Sequence, residues 1–314
     1  MSVSILGAGA FGTSLAIAIA RSETPVTLWA RDPGNMATTR DNTRRLPGFS
    51  FPDALTVTGD LDDAEDDIVL LAVPMQQLAS FLSKHADRFK GRTLVATCKG
   101  IDVSTGESPA EIITRICPDA TPALLSGPSF AVDVAAGLPT ALTVAAADPE
   151  PLQNALSGSN LRLYRSTDLT GVATGGAMKN VIAIACGLAI GAGLGESARA
   201  ALMTRGFAEM NRFAIARGAE ADTLQGLSGF GDLALTCTSE KSRNYAYGIA
   251  LGRGEPPAKG ITIEGQATAK AVSIAAEKAQ IDMPITNMVV AVMAHHITIR
   301  EASEMLLARP LKEE

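Results

Sequence analysis

The sequence has few of the residues that bind metal ions or cross-link secreted proteins. It contains three histidines and four cysteines, and no two cysteines form a C-x-x-C pair. Because structural zinc sites need closely spaced ligands, we expect no metal centre, and we interpret the cysteines as free thiols in a reducing cytoplasm. The residues concerned are His85, His295 and His296, with Cys98, Cys117, Cys186 and Cys237.

Long basic runs and long apolar segments are also absent. The formal net charge is −6 at pH 7, which argues against a nucleic-acid partner. The longest uncharged apolar stretch, residues 180–195, is shorter than the roughly 20 residues of a membrane helix. The apolar residues after the N-terminus lead straight into a glycine turn, which does not fit a signal peptide. We therefore expect a cytoplasmic protein without a membrane span.

Hydrophobic residues make up 46% of the chain, and their spacing changes about halfway along it. Up to residue 168, eight short apolar runs bounded by Asp, Gly or Pro predict strands, with helical patterns between several of them. One such helix is signalled by Ser108, Pro109 and Glu111, which together form a capping box. This alternation predicts an α/β fold with a mainly parallel sheet and helices on both faces.

Beyond about residue 170 we find helical periodicity and no convincing strand. The sequence therefore predicts a Rossmann-like α/β domain over residues 1–172 and an all-helical domain over residues 173–314. We expect the junction within residues 168–178. In the second domain Gly187, Gly191 and Gly195 share one helix face, which permits close helix packing within or between chains.

Three glycines near the N-terminus, Gly7, Gly9 and Gly12, have G-x-G-x-x-G spacing between a predicted strand and a predicted helix. A dinucleotide site needs such glycines for a tight turn, for approach to the pyrophosphate and for helix packing, and the helix N-terminus favours phosphate. The alternative is a turn kept for packing alone. The end of the next strand carries Arg31 and Asp32: Arg31 favours NADPH, whereas Asp32 would favour NAD or begin the next turn.

Lysine is the better candidate for acid/base chemistry, because no histidine adjoins a glycine or acidic cluster. Lys179 has small apolar helical neighbours, including Gly175, Gly176 and Ile182. A buried ammonium needs a carboxylate or a ligand, although a lysine can also extend to water. Lys99 follows a predicted strand, where open parallel sheets bind ligands.

A polar segment in the second domain begins with Asp232 and continues to Ser242, Arg243 and Asn244. Arg243 offers a planar fork suited to a phosphate, flanked by hydroxyl and amide groups. The alternative is an ordinary polar loop with a surface arginine.

In combination these segments resemble the soluble NAD(P)-dependent glycerol-3-phosphate dehydrogenases of the bacterial type. The similarity covers nearly the whole chain and includes "GAGAFGTSLA", "CKG", "SGPSFA", "MKNVIAIA", "LSGFGDLALTCTS" and "SRN" in the same order. The resemblance implies a helical second domain like that of 6-phosphogluconate dehydrogenase. It also implies reversible hydride transfer between reduced nicotinamide and C2 of dihydroxyacetone phosphate, which yields sn-glycerol 3-phosphate for phospholipid synthesis.

The resemblance implies roles for individual residues. Lys179 would be the catalytic acid/base. The substrate would contact Lys99, Gly127, Ser129, Lys179, Asp232, Ser242, Arg243 and Asn244. The cofactor would lie along Ala10, Phe11, Arg31, Lys99, Ala131, Arg243 and Glu264. The glycine turn adds Gly7, Gly9 and Gly12 to the cofactor site, and the position of Arg31 favours NADP(H) over NAD(H).

The chain departs from the expected pattern at Glu196–Ser197, Tyr245 and Tyr247, at the rim of the site. Two alternatives remain open: a β-hydroxyacid or 6-phosphogluconate type dehydrogenase, and a nucleotide-sensing protein without turnover. The partner we expect is a small phosphorylated substrate, and we expect a homodimer, although the sequence alone leaves the oligomeric state open.

Overall fold

The structure is a computed structural model, and it describes residues 2–308 apart from 257, 259 and 261. The strands, β1–β10, are Val3–Leu6, Val26–Trp29, Asp41–Asn42, Leu46–Ser50, Leu55–Thr58, Ile68–Leu71, Thr93–Ala96, Thr121–Ser126, Thr140–Ala146 and Leu161–Ser166. The helices, α1–α13, are Ala10–Ala20, Met36–Thr39, Met75–His85, Pro109–Ile116, Ala131–Ala135, Glu150–Leu156, Leu169–Gly191, Gly195–Ala216, Asp232–Cys237, Arg243–Gly252, Glu264–Lys278, Pro284–Met293 and Ile299–Leu307.

Eight strands form one sheet in the order β10-β9-β8-β7-β6-β1-β2-β5. Neighbouring strands are parallel except β8 and β9, which run antiparallel. In the register of the central strands, Ile5 pairs with Leu28 on one side and with Leu70 on the other. The eight strands predicted from the sequence are the eight strands of this sheet, so the mainly parallel α/β fold is confirmed.

A small hairpin of β3 and β4 was missing from the prediction. Only Leu46 of β4 is buried, and the strand also contains Pro47 and Gly48, which are typical of turns. Because this segment has neither alternating apolar residues nor a long apolar run, its sequence does not distinguish a strand from a loop.

Helices cover both faces of the sheet. On one face α1 and α6 pack on a core that includes Ile5 and Leu28, and on the other α3 and α4 pack on Leu6 and Leu71. Successive strand residues point to opposite faces, so each strand supplies both cores. Helix α4 begins with the predicted capping box, in which Ser108 Oγ accepts from the Glu111 amide at 3.3 Å.

After β10 the described chain contains helices and turns and no further strand. Helix α7 lies at the centre of this second part, and its residues from Gly171 to Ala189, apart from Ala173, are buried. By length and composition it could cross a membrane, but this burial is typical of a core helix. The predicted boundary between residues 172 and 173 falls inside its first turns and stays a prediction.

Two glycines of α7, Gly187 and Gly191, pack against α10 of the same chain. A Cβ at Gly187 would lie 2.2 Å from the Tyr245 carbonyl oxygen, and one at Gly191 would lie 2.2 Å from that of Ile249. Glycine is therefore needed for the two helix backbones to approach so closely. Gly195 begins α8 with a φ of +83°, so it is not part of this contact.

Candidate active site

The three glycines after β1 have different surroundings. Gly7 has a φ of +122°, and a Cβ there would lie 2.6 Å from the carbonyl oxygen of Ala72, at the end of β6. A Cβ at Gly12 would lie 2.1 Å from the Gly7 carbonyl oxygen. Both positions therefore require glycine for the turn and for helix packing. A Cβ at Gly9 would have no heavy atom within 4 Å, so at this position the backbone borders open space.

Helix α1 begins beside that open space. Gly9 is its N-cap, no side chain caps the terminus, and the first turn has no acidic residue. The amides at the start of the helix are therefore available to an anion, and the helix dipole favours negative charge there. This arrangement fits the pyrophosphate of a dinucleotide. The predicted cofactor residues Ala10 and Phe11 open the helix, and Ala131 packs partly buried against the same core.

Two lysines and one aspartate form a buried cluster next to the turn. Lys179 Nζ lies 2.7 Å from Asp232 Oδ1, and Lys99 Nζ lies 2.6 Å from Asp232 Oδ2. The Asp232 side chain is 1% exposed, and those of Lys179 and Lys99 are 10% and 12% exposed. Lys99 Nζ also lies 5.9 Å from the centre of the Phe11 ring, which connects the cluster to α1.

Four segments distant in sequence meet at this cluster. Lys99 follows β7, and its ammonium also donates to the Gly127 carbonyl, just after β8, at 3.1 Å. Lys179 is on α7, and Asp232 begins α9 after a π turn over Leu227–Gly231. Parallel strands end at the same sheet edge, which explains why Lys99 and Gly127 are neighbours.

Gly175 and Gly176 allow α7 to approach this edge. A Cβ at Gly175 would lie 2.5 Å from the Ser228 carbonyl oxygen, and one at Gly176 would lie 2.7 Å from Ser126 Oγ. Any larger side chain would push the helix away from the sheet and from the π turn. These two glycines therefore set the position of Lys179, three and four residues further along the helix.

Burial, assisted by the positive charge of Lys99, lowers the pKa of Lys179 to about 8, although Asp232 and Glu264 act in the opposite direction. A lysine in this range can both give and accept a proton near neutral pH. The three charges of the cluster leave an excess of one positive charge in a buried site. Such a site attracts anions and stabilises negative charge that develops on an oxygen.

The predicted phosphate residues lie at the start of α10, where Asn244 contacts Asn180, the neighbour of Lys179. Ser242 is the N-cap, and its hydroxyl accepts from the Tyr245 amide at 3.2 Å. The Arg243 side chain is 55% exposed, with Nη2 4.0 Å from the Glu264 carboxylate. Asn244 is buried; it donates to Asn180 Oδ1 at 2.9 Å and accepts from the Gly265 amide at 2.9 Å. These bonds hold α10 beside α7 and α11.

Ser129 and Arg31, which were predicted to contact the substrate and the cofactor, are not members of the lysine cluster. Ser129 lies two residues beyond Gly127, and its hydroxyl donates to the Gly127 carbonyl at 3.2 Å. Arg31 is exposed after β2, away from the lysine cluster. The neighbouring Asp32 accepts from the Gly34 amide at 3.2 Å and pairs with Arg44 at 3.3 Å, so its carboxylate belongs to the turn.

Three polar residues around the cluster were not predicted from the sequence. Thr236 accepts from Lys179 Nζ at 2.9 Å; its spacing of four residues from Asp232 was a signal that could have been used. Asn180 was missed although it adjoins Lys179. Ser126 Oγ is buried without a hydrogen-bond partner in the described structure, which no sequence pattern reveals.

The departures from the family pattern lie near α10. Tyr245 is buried, and its hydroxyl accepts from Arg199 at 3.4 Å, whereas the Tyr247 hydroxyl accepts from Gln266 at 2.7 Å. Glu196 pairs with Arg199 at 2.5 Å. Within the described residues, no group of three His, Cys, Asp or Glu side chains is placed to hold a metal ion.

Two family models and several full-length relatives match this chain. The family model for the N-terminus of NAD-dependent glycerol-3-phosphate dehydrogenase matches residues 2–151, and the model for its C-terminus matches residues 168–304. The chain is 57% identical to an NAD(P)+ glycerol-3-phosphate dehydrogenase of Ruegeria sp. (strain TM1040) and 56% identical to one of Paracoccus denitrificans (strain Pd 1222); in both, the alignment covers 100% of each chain.

A solved structure is similar over the same length. The crystal structure of glycerol-3-phosphate dehydrogenase from Coxiella burnetii matches with a TM-score of 0.93 at 34% identity, covering 98% of this chain and 99% of that one. The Rossmann-like first part and the helical second part are common to both. From its two family matches and its full-length relatives, the chain belongs to the NAD-dependent glycerol-3-phosphate dehydrogenase family and is an oxidoreductase that uses NAD or NADP.

Proposed function

We propose that this chain interconverts dihydroxyacetone phosphate and sn-glycerol 3-phosphate, with Lys179 as the acid/base. The observation that carries the proposal is the convergence of Lys179 and Lys99 on the two oxygens of Asp232. A single carboxylate shared by two buried ammonium groups keeps them apart and oriented while leaving positive charge in excess. That excess suits an anionic substrate and the oxyanion that forms at its carbonyl.

When bound, the nicotinamide supplies hydride to C2 or accepts it from C2. In the direction of reduction, protonated Lys179 polarises the ketone oxygen and donates the proton that completes the alcohol. Asp232 and Thr236 orient the ammonium, and Lys99 adds a second positive charge. In the direction of oxidation, neutral Lys179 removes the hydroxyl proton.

The substrate phosphate has a separate binding region in this proposal. The N-terminus of α10 presents free amides, and the exposed Arg243 guanidinium offers a bidentate fork. The bonds of Asn244 keep this terminus close to Lys179. Gly127, Ser129, Ser242 and Asn244 complete the substrate site of the proposal. Gly7, Gly9, Ala10, Phe11, Gly12, Ala131 and Glu264 complete the cofactor site.

NADP(H) is the preferred cofactor in this proposal, although NAD(H) fits the same turn. The Asp32 carboxylate is held in its own turn and paired with Arg44, so it is not free to bind ribose hydroxyls. Arg31 makes no ion pair or hydrogen bond within the described residues. An unpaired cation after the second strand favours the extra phosphate.

The reaction is tested by following reduced-nicotinamide absorbance with dihydroxyacetone phosphate, separately with NADPH and NADH. We expect loss of signal that depends on the phosphorylated ketone and is faster with NADPH. Lys179→Met should lower kcat by about 10²–10⁴-fold, the usual contribution of an acid/base group, while cofactor binding is retained. Lys278→Met, which removes an exposed lysine elsewhere, is the control.

Three outcomes would contradict the assignment. A folded Lys179→Met enzyme with normal turnover would remove the role of Lys179. Cofactor binding by the wild type without any ketone-dependent oxidation would favour a nucleotide sensor, and turnover of other hydroxy acids would favour a related dehydrogenase.

We also propose that the product feeds phospholipid synthesis in the cytoplasm and that the enzyme is a homodimer. Growth of a bacterial strain that requires glycerol 3-phosphate should be restored by the wild type and not by Lys179→Met. Light scattering should report twice the mass of the chain; a monomeric mass would exclude the dimer.

A further inference from the structure

A cleft of about 790 Å³ opens beside the cofactor turn. One wall is helix α3, the other is the segment after β5, and Trp29 at the end of β2 lies between them. Adenosine is small enough for such a volume, which lies within the range of ligand pockets. The residues that line it are Trp29, Arg31, Gly59, Asp60, Leu61, Val73, Gln77, Ser80, Phe81, Lys84, His85 and Arg88.

The cleft begins directly at the dinucleotide turn. Val73 lines it, and the preceding residue, Ala72, has the carbonyl oxygen that Gly7 approaches. Arg31 lines it from the end of β2, where the second half of a dinucleotide passes in this fold. A cofactor whose pyrophosphate lies at Gly9 therefore extends its adenosine into this cleft.

The cations of the cleft differ in their partners. Arg88 pairs with Asp62 and with Glu65, so its charge is already balanced. His85 packs against Phe81 with tilted rings whose centres are 5.1 Å apart, and burial together with Lys84 and Arg88 lowers its pKa, which favours the neutral imidazole. Lys84 makes no hydrogen bond or ion pair to a carboxylate within the described residues.

The acidic residue that lines the cleft does not neutralise Lys84. Asp60 caps the following turn, and its Oδ1 accepts from the Asp62 amide at 2.9 Å. The cleft therefore contains two cations without an acidic partner, Arg31 on the strand side and Lys84 on the helix side. Two such cations at one pocket are the arrangement expected for a phosphate dianion.

Lys84 lies near the C-terminal end of α3, and its side chain tilts back toward the start of the helix. The helix starts at Met75, at the sheet edge that carries the glycine turn, and the Cα–Cβ bonds of a helix tilt toward its N-terminus. Gln77, Phe81 and Lys84 are four and three residues apart, so they share one face of the helix. Lys84 therefore lines the same cleft as Arg31, from the helix side.

We propose that Lys84 is a second determinant of cofactor specificity, binding the adenosine 2′-phosphate of NADP(H) together with Arg31. This inference rests on the cofactor preference proposed above and adds to it a residue on another element. NADH lacks the 2′-phosphate, so Lys84 contributes to the binding of one cofactor and not the other.

The test compares KM values for NADPH and NADH at saturating dihydroxyacetone phosphate. Lys84→Ala should raise the KM for NADPH roughly five-fold, the effect of one solvent-accessible ion pair, and leave the KM for NADH unchanged. Lys84→Arg should retain the wild-type values. Lys90→Ala removes the same charge from an exposed lysine outside the cleft, paired with Asp87, and should change neither KM.

Calorimetry with adenosine 2′,5′-bisphosphate and 5′-AMP gives a readout that is independent of turnover. The wild type should bind the bisphosphate more tightly, and Lys84→Ala should reduce that difference. Equal effects of Lys84→Ala on both nucleotides, or no effect on either, would overturn the role of Lys84. A wild type that binds both nucleotides alike would overturn the 2′-phosphate site as well, while ketone reduction with NADH would leave the proposed reaction standing.

Discussion

The glycine turn and the lysine cluster are neighbours in space, but they are built in opposite ways. The turn is formed within six residues, from Gly7 to Gly12, and its chemistry comes from backbone amides. The cluster joins side chains from β7, α7 and α9, and Lys99 and Asp232 are 133 residues apart. A local backbone site withstands changes elsewhere in the chain, whereas a buried charge network depends on every element that carries a member.

The largest effect should follow from removing the shared carboxylate. Asp232→Asn leaves two buried ammonium groups without a counter-charge, and losing one member of a buried ion pair costs about 3–5 kcal/mol. We expect a lower melting temperature and a kcat/KM reduced by on the order of 10²-fold or more, because Lys179 is neither oriented nor kept protonated. Calorimetry and initial rates measure the two effects; unchanged stability would show that the carboxylate is not needed to balance the charges.

Substitutions at two glycines of the turn should have different effects. Gly12→Ala should lower the stability of the fold, and Gly9→Ala should weaken the binding of the cofactor. Gly12→Ala places a Cβ against the Gly7 carbonyl, and we expect a loss of about 1–3 kcal/mol in the free energy of unfolding. Gly9→Ala meets open space, so unfolding should be unaffected. Its methyl group occupies the path of the pyrophosphate, and the Kd for NADPH should rise about ten-fold.

Denaturant titration and NADPH fluorescence check this pair of variants. Equal loss of stability in both would mean that Gly9 is a packing glycine. Unchanged cofactor affinity in Gly9→Ala would place the pyrophosphate elsewhere.

The pH dependence of the two reaction directions should differ in sign. Burial lowers the pKa of Lys179 from 10.5 to about 8, so above this value the ammonium is lost in the folded enzyme. Reduction needs the proton, and its kcat/KM should fall about ten-fold per pH unit above pH 8, whereas the rate of oxidation should rise until the lysine is neutral.

The same shift affects stability with a defined sign. Between pH 8 and 10.5 the unfolded chain holds a proton that the folded chain has released, so the contribution of Lys179 to the free energy of unfolding increases with pH in that interval. If the rates of reduction and oxidation depended on pH in the same way, the role of Lys179 as the acid/base would be contradicted.

The smallest effect should come from the edge of the cluster. Thr236→Val removes a hydroxyl that accepts from Lys179, while the Asp232 carboxylate still holds the ammonium. We expect kcat to fall by only about five-fold, the value of one hydrogen bond of about 1 kcal/mol. A loss as large as that of Asp232→Asn would show that Thr236, and not the carboxylate, sets the orientation.

Much of the first part of the fold could be predicted because its signals are local. Apolar runs between turn residues predicted all eight strands of the sheet, and Ser108, Pro109 and Glu111 predicted the start of α4. The hairpin of β3 and β4 was missed because it has neither alternation nor a long apolar run. Gly187 and Gly191 predicted close packing, but whether the partner helix belongs to the same chain required the structure.

The sequence by itself determined the pattern of strands and helices and the glycine turn. It also determined that Lys179 is surrounded by small apolar residues on its helix. Only the tertiary structure decided that Lys99 and Lys179 share Asp232, that Thr236 joins them, and that burial lowers the Lys179 pKa to about 8. The physical reason is the range of the interactions. Turns, caps and amphipathic periods act between residues close in sequence, whereas desolvation and charge pairing depend on which distant segments fold against one another.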